Sequence, residues 1–196
     1  MLERAIYISG IHASGKSSLI KDLLEHEEFV QYETYLKVDL EHTYHRGVFR
    51  LARYWIEAHE IQKLAEENSG KLILVDRCIY DNTAYCKGFH SLGWMSDEEL
   101  QHHESCVDVM FREFERPKNI VHVAPSSSWV EERLKDRWET TPLKWREDNL
   151  EYMNRVLETF SKIYAEMKGV NILRLEETDR KKRVENVFEW IKNSSL

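Results

Sequence analysis

The sequence predicts an α/β fold in which a five-stranded parallel sheet is flanked by helices on both faces. Two continuous apolar runs, Ala5 to Ile8 and Leu72 to Val75, are typical of central strands that are buried on both sides. Segments with strand character alternate with segments of helical periodicity along the chain, which indicates a doubly wound sheet. The 196 residues suffice for one hydrophobic core, so we predict a single domain over residues 1–196.

The first half of the chain begins with a strand, a glycine-rich loop and an amphipathic helix. A later helical pattern ends at Ser69-Gly70, where a glycine commonly follows a helix. The predicted elements of this half are a strand at 4–9, a helix at 16–26, an extended segment at 29–36, a helix at 47–68 and a strand at 72–75.

The second half repeats the alternation of helices and strands. Ser96 and Glu99 have the spacing of a capping box at the start of a helix, and Pro117 lies just beyond the predicted end of that helix. The predicted elements are a helix at 96–115, a strand at 120–123, helices at 126–138 and 145–168, a strand at 171–175 and a C-terminal amphipathic helix containing Val184, Val187, Phe188 and Ile191.

Residues 10–17 read G-x-x-x-x-G-K-S directly after the first strand. Such a loop points successive backbone N–H groups at a polyphosphate, and the following helix adds the positive end of its dipole. Lys16 can reach the β and γ phosphates, and the Ser17 hydroxyl can ligate Mg²⁺. The motif predicts the P-loop NTPase fold. The predicted nucleotide-binding residues are Gly10, His12, Ala13, Ser14, Gly15, Lys16, Ser17 and Ser18.

The composition argues against several other classes of protein. A net charge of −7, from 28 basic and 35 acidic residues, lacks the basic excess of a general nucleic-acid or membrane-surface binder. The sequence has neither an apolar stretch of the ~20 residues that a membrane span needs nor a secretory signal, so we expect a cytoplasmic protein. The three cysteines lack C-x-x-C spacing, which favours reduced, structural roles.

Asp76 and Arg77 follow the strand at 72–75. The carboxyl ends of parallel strands meet at the ligand crevice, so we expect Asp76 to face the phosphate loop. There it can hold Mg²⁺ or accept a proton, while Arg77 can pair with a phosphate. The alternative to a role in the crevice is that Asp76 and Arg77 form an ion pair at the protein surface.

The segment from Asp76 to Tyr85, followed by Gly88, carries a resemblance to a known family. It resembles the D-R-Y-x-x-S-x-x-A-Y segment of thymidylate kinases, and deoxynucleoside kinases carry a related acidic-Arg-Ser motif. Arg53 is similar to a helix arginine that contacts the acceptor phosphate in thymidylate kinases. Arg133 and Arg137 resemble the lid R-x-x-x-R of both families. The resemblance implies acceptor contacts for Arg53, Arg77 and Tyr85, and charge-neutralising arginines on a small lid at about 137–146.

The chain also departs from these families. It lacks an Asp-Glu-Pro or Arg-Glu-Pro-Gly segment, and Cys78 replaces the Tyr or Ser that would follow the arginine. Glu139 stands where deoxynucleoside kinases carry a further lid arginine. Lys144 or Arg146 would have to serve as the basic residue found near the next helix in thymidylate kinases.

We therefore predict an ATP- and Mg²⁺-dependent kinase. The first hypothesis is a nucleoside monophosphate kinase resembling thymidylate kinase. Its predicted catalytic residues are Lys16, Asp76, Arg77, Arg133 and Arg137, and its predicted metal ligands are Ser17 and Asp76. The predicted substrate-binding residues are Arg53, Arg77, Tyr85 and Arg146. The partners would be a nucleotide or nucleoside, without nucleic acid or membrane, and the resemblance implies a homodimer.

The sequence is also compatible with other functions. The nearest is a deoxynucleoside kinase, or a P-loop kinase of another small hydroxyl acceptor, in which Glu33, Asp39 or Asp76 would serve as the base. A GTPase-type switch is disfavoured because no N-K-x-D segment follows a core strand, and a polynucleotide 5′-kinase is disfavoured by the acidic balance.

Overall fold

A computed structural model describes residues 2–34, 40–140, 145–194 and 196. Its five strands form one parallel sheet in the order β2-β3-β1-β4-β5, which confirms the predicted architecture. The strands are β1 Ala5–Ser9, β2 Phe29–Tyr32, β3 Leu72–Asp76, β4 Asn119–Val123 and β5 Asn171–Leu175.

In the described ranges seven α-helices connect and flank these strands. They are α1 Lys16–Leu23, α2 Thr43–Glu67, α3 Ile79–Ser91, α4 Asp97–Glu113, α5 Ser127–Thr140, α6 Leu150–Glu166 and α7 Arg180–Asn193. The predicted capping box at the start of α4 is confirmed, because the side chains of Ser96 and Glu99 each bond the backbone N–H of the other residue.

Three helix boundaries differ from the prediction by three residues or more. The first helix ends at Leu23, three residues early. α2 begins four residues before Gly47, so this glycine lies inside the helix rather than at its start. A Cβ at Gly47 would come within 2.7 Å of Cys86 Sγ on α3, and this close approach favours glycine there. α6 begins at Leu150 rather than 145, since Arg146 has a φ of 53° and Asn149 caps the helix. α3 was not predicted as a helix, and residues 35–39 lie outside the described part.

The alternation of side chains along β1 divides the core into two layers. Ile6 and Ile8 pack with α1 and α7, whereas Ala5 and Tyr7 belong to the layer that contains α3 and α6. Because both layers are apolar, the central strands are buried on both faces, as their continuous apolar runs predicted.

The sheet order fixes where a ligand can bind. β1 lies between β3 and β4, and Ile8 of β1 pairs with Asp76 at the end of β3. The loop after β1 and the carboxylate after β3 therefore share one edge of the sheet. Within the described ranges, none of the helices combines the length and apolarity that crossing a membrane would require.

Candidate active site

The loop after β1 has the backbone conformation of an anion site. Gly10, Ala13 and Gly15 have φ values of 138°, 58° and 94°, so the chain turns sharply before α1 begins at Lys16. A Cβ on Gly10 would lie 2.5 Å from the Val123 carbonyl oxygen, which leaves room only for glycine. The loop thus delivers its N–H groups and the α1 N-terminus to one cavity.

Arg183 on α7 supports this loop from behind. Its guanidinium lies where a Gly15 side chain would be, 2.4 Å from an ideal Cβ, and its Nη2 donates to the Ser14 carbonyl over 3.4 Å. The Arg183 Nε also donates to the Glu177 carbonyl over 2.6 Å, and the group stacks on Trp129 at 5.3 Å. Since Arg183 is only 3% exposed, it is a fixed part of the loop's environment.

A cleft of about 530 Å³ opens in front of the loop. Asp136 and Thr140 of α5 line it without having been predicted. Ten of the predicted site residues line it as well: His12, Ala13, Gly15, Lys16, Ser17, Ser18, Asp76, Arg77, Arg133 and Arg137. The structure therefore brings the loop, the end of β3 and the two lid arginines together.

The remaining loop residues lie deeper. Ser14 is fully buried, and Gly10 packs against β4. The Lys16 Nζ donates to the Ile11 carbonyl over 2.7 Å, so the side chain is folded back along the loop. Lys16 thus lies next to the cavity that the loop encloses.

Arg77 is held by several contacts in an uncommon backbone conformation. Its φ is 78°, and its N–H donates to the Ile8 carbonyl over 3.0 Å. The Nη1 atom donates to the Gly10 carbonyl over 3.0 Å and to the Tyr85 hydroxyl over 3.1 Å. These contacts fix the guanidinium at the boundary between the phosphate loop and α3.

Asp81 is a fully buried carboxylate beneath Arg77 that sequence reasoning missed. Its Oδ1 accepts hydrogen bonds from the hydroxyls of Ser9 and Tyr164, and its Oδ2 lies 3.8 Å from Arg77 Nη1. Burial raises the pKa of Asp81, and Arg77 opposes that shift. One signal was available, since Asp81 occupies the serine position of the thymidylate kinase pattern.

The Tyr85 ring lies between two arginines. Arg77 is 5.2 Å and Arg50 of α2 is 5.3 Å from the ring centre. Tyr85 itself is 1% exposed, so in this structure its ring is part of the core. Arg53, the predicted acceptor contact on α2, instead pairs through Nε with Glu57 at 3.2 Å. Arg50, one turn earlier, is the α2 arginine that contacts the same ring as Arg77.

Arg146 lies away from the cleft, in an aromatic cluster. Its guanidinium is 4.3 Å from the centre of the Trp94 ring and 5.0 Å from that of Trp145. The guanidinium of Arg46 also lies near this cluster, 4.6 Å from the centre of the Trp145 ring. The predicted lid at 137–146 is described up to Thr140, where α5 ends, and again from Trp145, whereas Lys144 lies outside the described residues.

A smaller cavity of about 250 Å³ adjoins Asp76. Glu33 and Glu57 line it together with Tyr32 and Thr34. Burial raises the pKa of Glu57, and Arg53 opposes that shift. Asp39, the other carboxylate considered as a base, lies outside the described residues.

Glu147 joins the phosphate loop to the lid helix. Its Oε1 lies 3.2 Å from His12 Nδ1 and 3.2 Å from Arg137 Nη1, and its side chain is 1% exposed. Burial lowers the pKa of His12 to about 3, although its hydrogen bond to Glu147 opposes the shift. The lowered pKa favours a neutral His12 near pH 7, with its Nδ1 facing the carboxylate oxygen of Glu147.

Comparison with known proteins identifies the family and the fold of the chain. The family model described as deoxynucleoside kinase matches residues 6–195. A deoxyadenosine kinase from M. mycoides with bound dATP has a TM-score of 0.70 and 14% identity, over 96% of this chain and 99% of that chain. Thymidylate kinase from Candida albicans has a TM-score of 0.71 and 16% identity, over 97% of this chain and 92% of that chain.

The search among curated proteins finds no significant match. At these low identities the solved structures establish the shared fold, and the family model, which spans nearly all 196 residues, establishes the family. The chain belongs to the deoxynucleoside kinase family and is a nucleoside or nucleotide kinase.

Proposed function

We propose that the cleft transfers the γ-phosphoryl group of ATP to a nucleoside monophosphate. The observation that carries this proposal is the pair Arg50 and Arg77 at the Tyr85 ring, next to the phosphate loop whose Gly10 carbonyl Arg77 binds. Among the described residues Arg50 forms no ion pair, so an acceptor phosphate could supply the missing negative charge.

The donor is held by the phosphate loop. Its N–H groups and the α1 N-terminus bind the phosphates, and Lys16 turns from the Ile11 carbonyl to the β and γ phosphates. The acceptor oxygen then attacks the γ phosphorus, the bond to the bridging oxygen breaks, and ADP leaves with the electron pair.

Mg²⁺ fits the residues at the mouth of the loop. The Asp76 Oδ1 is buried and has no hydrogen-bond partner within the described ranges, and Ser17 lines the same cleft. A carboxylate and a hydroxyl, completed by water and phosphate oxygens, suit this ion, which neutralises phosphate charge when bound.

Arg133 and Arg137 have a separate role in this proposal. Both line the cleft from α5, together with Asp76 and Arg77. They neutralise charge on the transferring phosphoryl group, and the α5 segment shields it from water so that ATP is not hydrolysed. Arg146 interacts with Trp94 and Trp145 and would reach the acceptor only after a rearrangement.

A deoxynucleoside acceptor is the second candidate, and the smaller cavity favours it. A neutral hydroxyl needs a carboxylate to accept its proton, and Glu33 and Asp76 both line that cavity. A monophosphate acceptor needs no such base. The two candidates therefore predict opposite outcomes at Glu33.

The test is ADP formation with a panel of nucleosides and nucleoside monophosphates. Monophosphates should be phosphorylated, and Arg50→Met should raise their KM by about 10- to 100-fold, because a charge-assisted contact is lost. Arg155→Met, which removes an exposed arginine of α6, is the matched control. Turnover of nucleosides alone, with loss of activity in Glu33→Gln, would exclude the monophosphate hypothesis.

The cytoplasmic location and the homodimer stay predictions.

A further inference from the structure

The carboxylate of Glu147 is buried at the junction of three segments. Glu147 lies in the turn between Arg146 and the Asn149 cap of α6, and it is fully buried. Burying an ionised carboxylate costs several kcal/mol unless charged and hydrogen-bonding groups surround it. The arrangement around Glu147 therefore needs a compensating charge.

Two of its partners belong to different elements that line the cleft. His12 belongs to the phosphate loop, and Arg137 belongs to α5, yet one oxygen of Glu147 lies 3.2 Å from each. Burial disfavours a positive charge on His12, so among these two partners Arg137 supplies the compensating charge. The carboxylate thus ties the lid arginine to the loop that holds the donor.

Arg137 also faces the cleft, with 26% of its side chain exposed. An unrestrained arginine would sample many rotamers and would have to be ordered during each catalytic cycle. A buried carboxylate that holds the guanidinium removes that entropic cost and fixes its direction.

We propose that Glu147 is a positioning residue that places Arg137 over the phosphate loop before the phosphates bind. The inference rests on the proposed role of Arg137 in charge neutralisation. Glu147 touches neither substrate, and it acts through the arginine while His12 fixes the carboxylate relative to the loop.

A double-mutant cycle tests the proposal. Glu147→Gln keeps the size of the side chain and removes its charge, and it should lower kcat by about 10- to 100-fold with a smaller change in the KM for ATP. In the Arg137→Met background the same substitution should have little further effect. Glu151→Gln, an exposed acid on the first turn of α6, is the matched control. The thermal unfolding midpoint of each variant reports whether the fold is intact.

The outcomes separate this proposal from the proposed function. An equal effect of Glu147→Gln in both backgrounds means a general structural role and overturns the positioning role, even if monophosphates are turned over. No effect of Arg137→Met on kcat overturns it too. If no acceptor is phosphorylated, the cycle is measured on the Kd of a non-hydrolysable ATP analogue, where additive effects overturn the proposal and non-additive effects support it.

Discussion

Lowering the pH from 7 to 5 should destabilise the folded chain through His103, a histidine outside the cleft. His103 on α4 is fully buried, and its Nε2 lies 3.0 Å from Asn82 Nδ2. The same amide nitrogen donates to the Gly47 carbonyl. The ring nitrogen therefore acts as the acceptor, and protonating it would break the contact.

The size of the loss in folding stability follows from the shifted pKa of His103. Burial, first of all, lowers the pKa of His103 from 6.5 to about 4; His102 and Lys87 also lower it, and Glu104 raises it. Between these values the unfolded chain binds a proton that the folded chain does not, so stability falls as the pH drops through 6.5. At pH 5, 1.5 units below the unfolded value, the loss is about 2 kcal/mol.

Other buried groups also titrate in this range. Burial lowers the pKa of His122 to about 3, so it adds to the loss. Asp81 and Glu57 act in the opposite direction, because burial raises their pKa values and the folded chain then takes up these protons at a higher pH than the unfolded chain does. The difference between the wild type and a variant isolates the contribution of His103.

The assay is urea unfolding at pH 7 and pH 5, followed by tryptophan fluorescence. The stability advantage of the wild type over His103→Asn should shrink by about 2 kcal/mol between the two pH values. His59→Asn, at an exposed position of α2, is the matched control. If His103→Asn is too unstable, His103→Gln serves. An unchanged difference between wild type and variant would refute the reasoning.

Two further predictions concern the loop and the core. Lys16→Ala should abolish phosphoryl transfer with the unfolding midpoint intact, since its target is charge on the phosphates; substantial residual kinase activity would refute the role. Gly88→Ala should destabilise the chain by about 1–2 kcal/mol in urea unfolding, because its Cβ would lie 2.8 Å from Val156 Cγ2 and this crowding outweighs the gain in helix propensity. Gly88→Ala with Val156→Ala should recover part of the loss, and wild-type stability of the single variant would contradict the packing argument.

The parts of the fold that sequence predicted are those with a local signature. The phosphate loop, the continuous apolar strands and the Ser96 capping box each depend on neighbours within a few residues. α3 was missed because it is enclosed by α2, α4 and α6, so its buried residues leave no clear polar face. A helix without amphipathic periodicity gives no such signal.

The missed residues of the site depend on distant partners. Glu147 meets His12 across 135 positions of sequence, and Asp81 meets Ser9 across 72. Nothing in the local pattern separates such a carboxylate from an exposed one. Arg50 differs, since it lies on α2 one turn from the predicted Arg53, and only the three-dimensional packing against Tyr85 distinguishes the two.

The contact of Arg183 with the phosphate loop also bears on biosynthesis. During synthesis the loop leaves the ribosome well before α7, because Arg183 follows Ser14 by 169 positions. Until α7 docks, the space beside Gly15 lacks the guanidinium that fills it and the Ser14 carbonyl lacks its donor. Competence to bind a triphosphate should therefore arise only after α7 has been synthesised and has docked, which would keep chains without α7 from sequestering nucleotide.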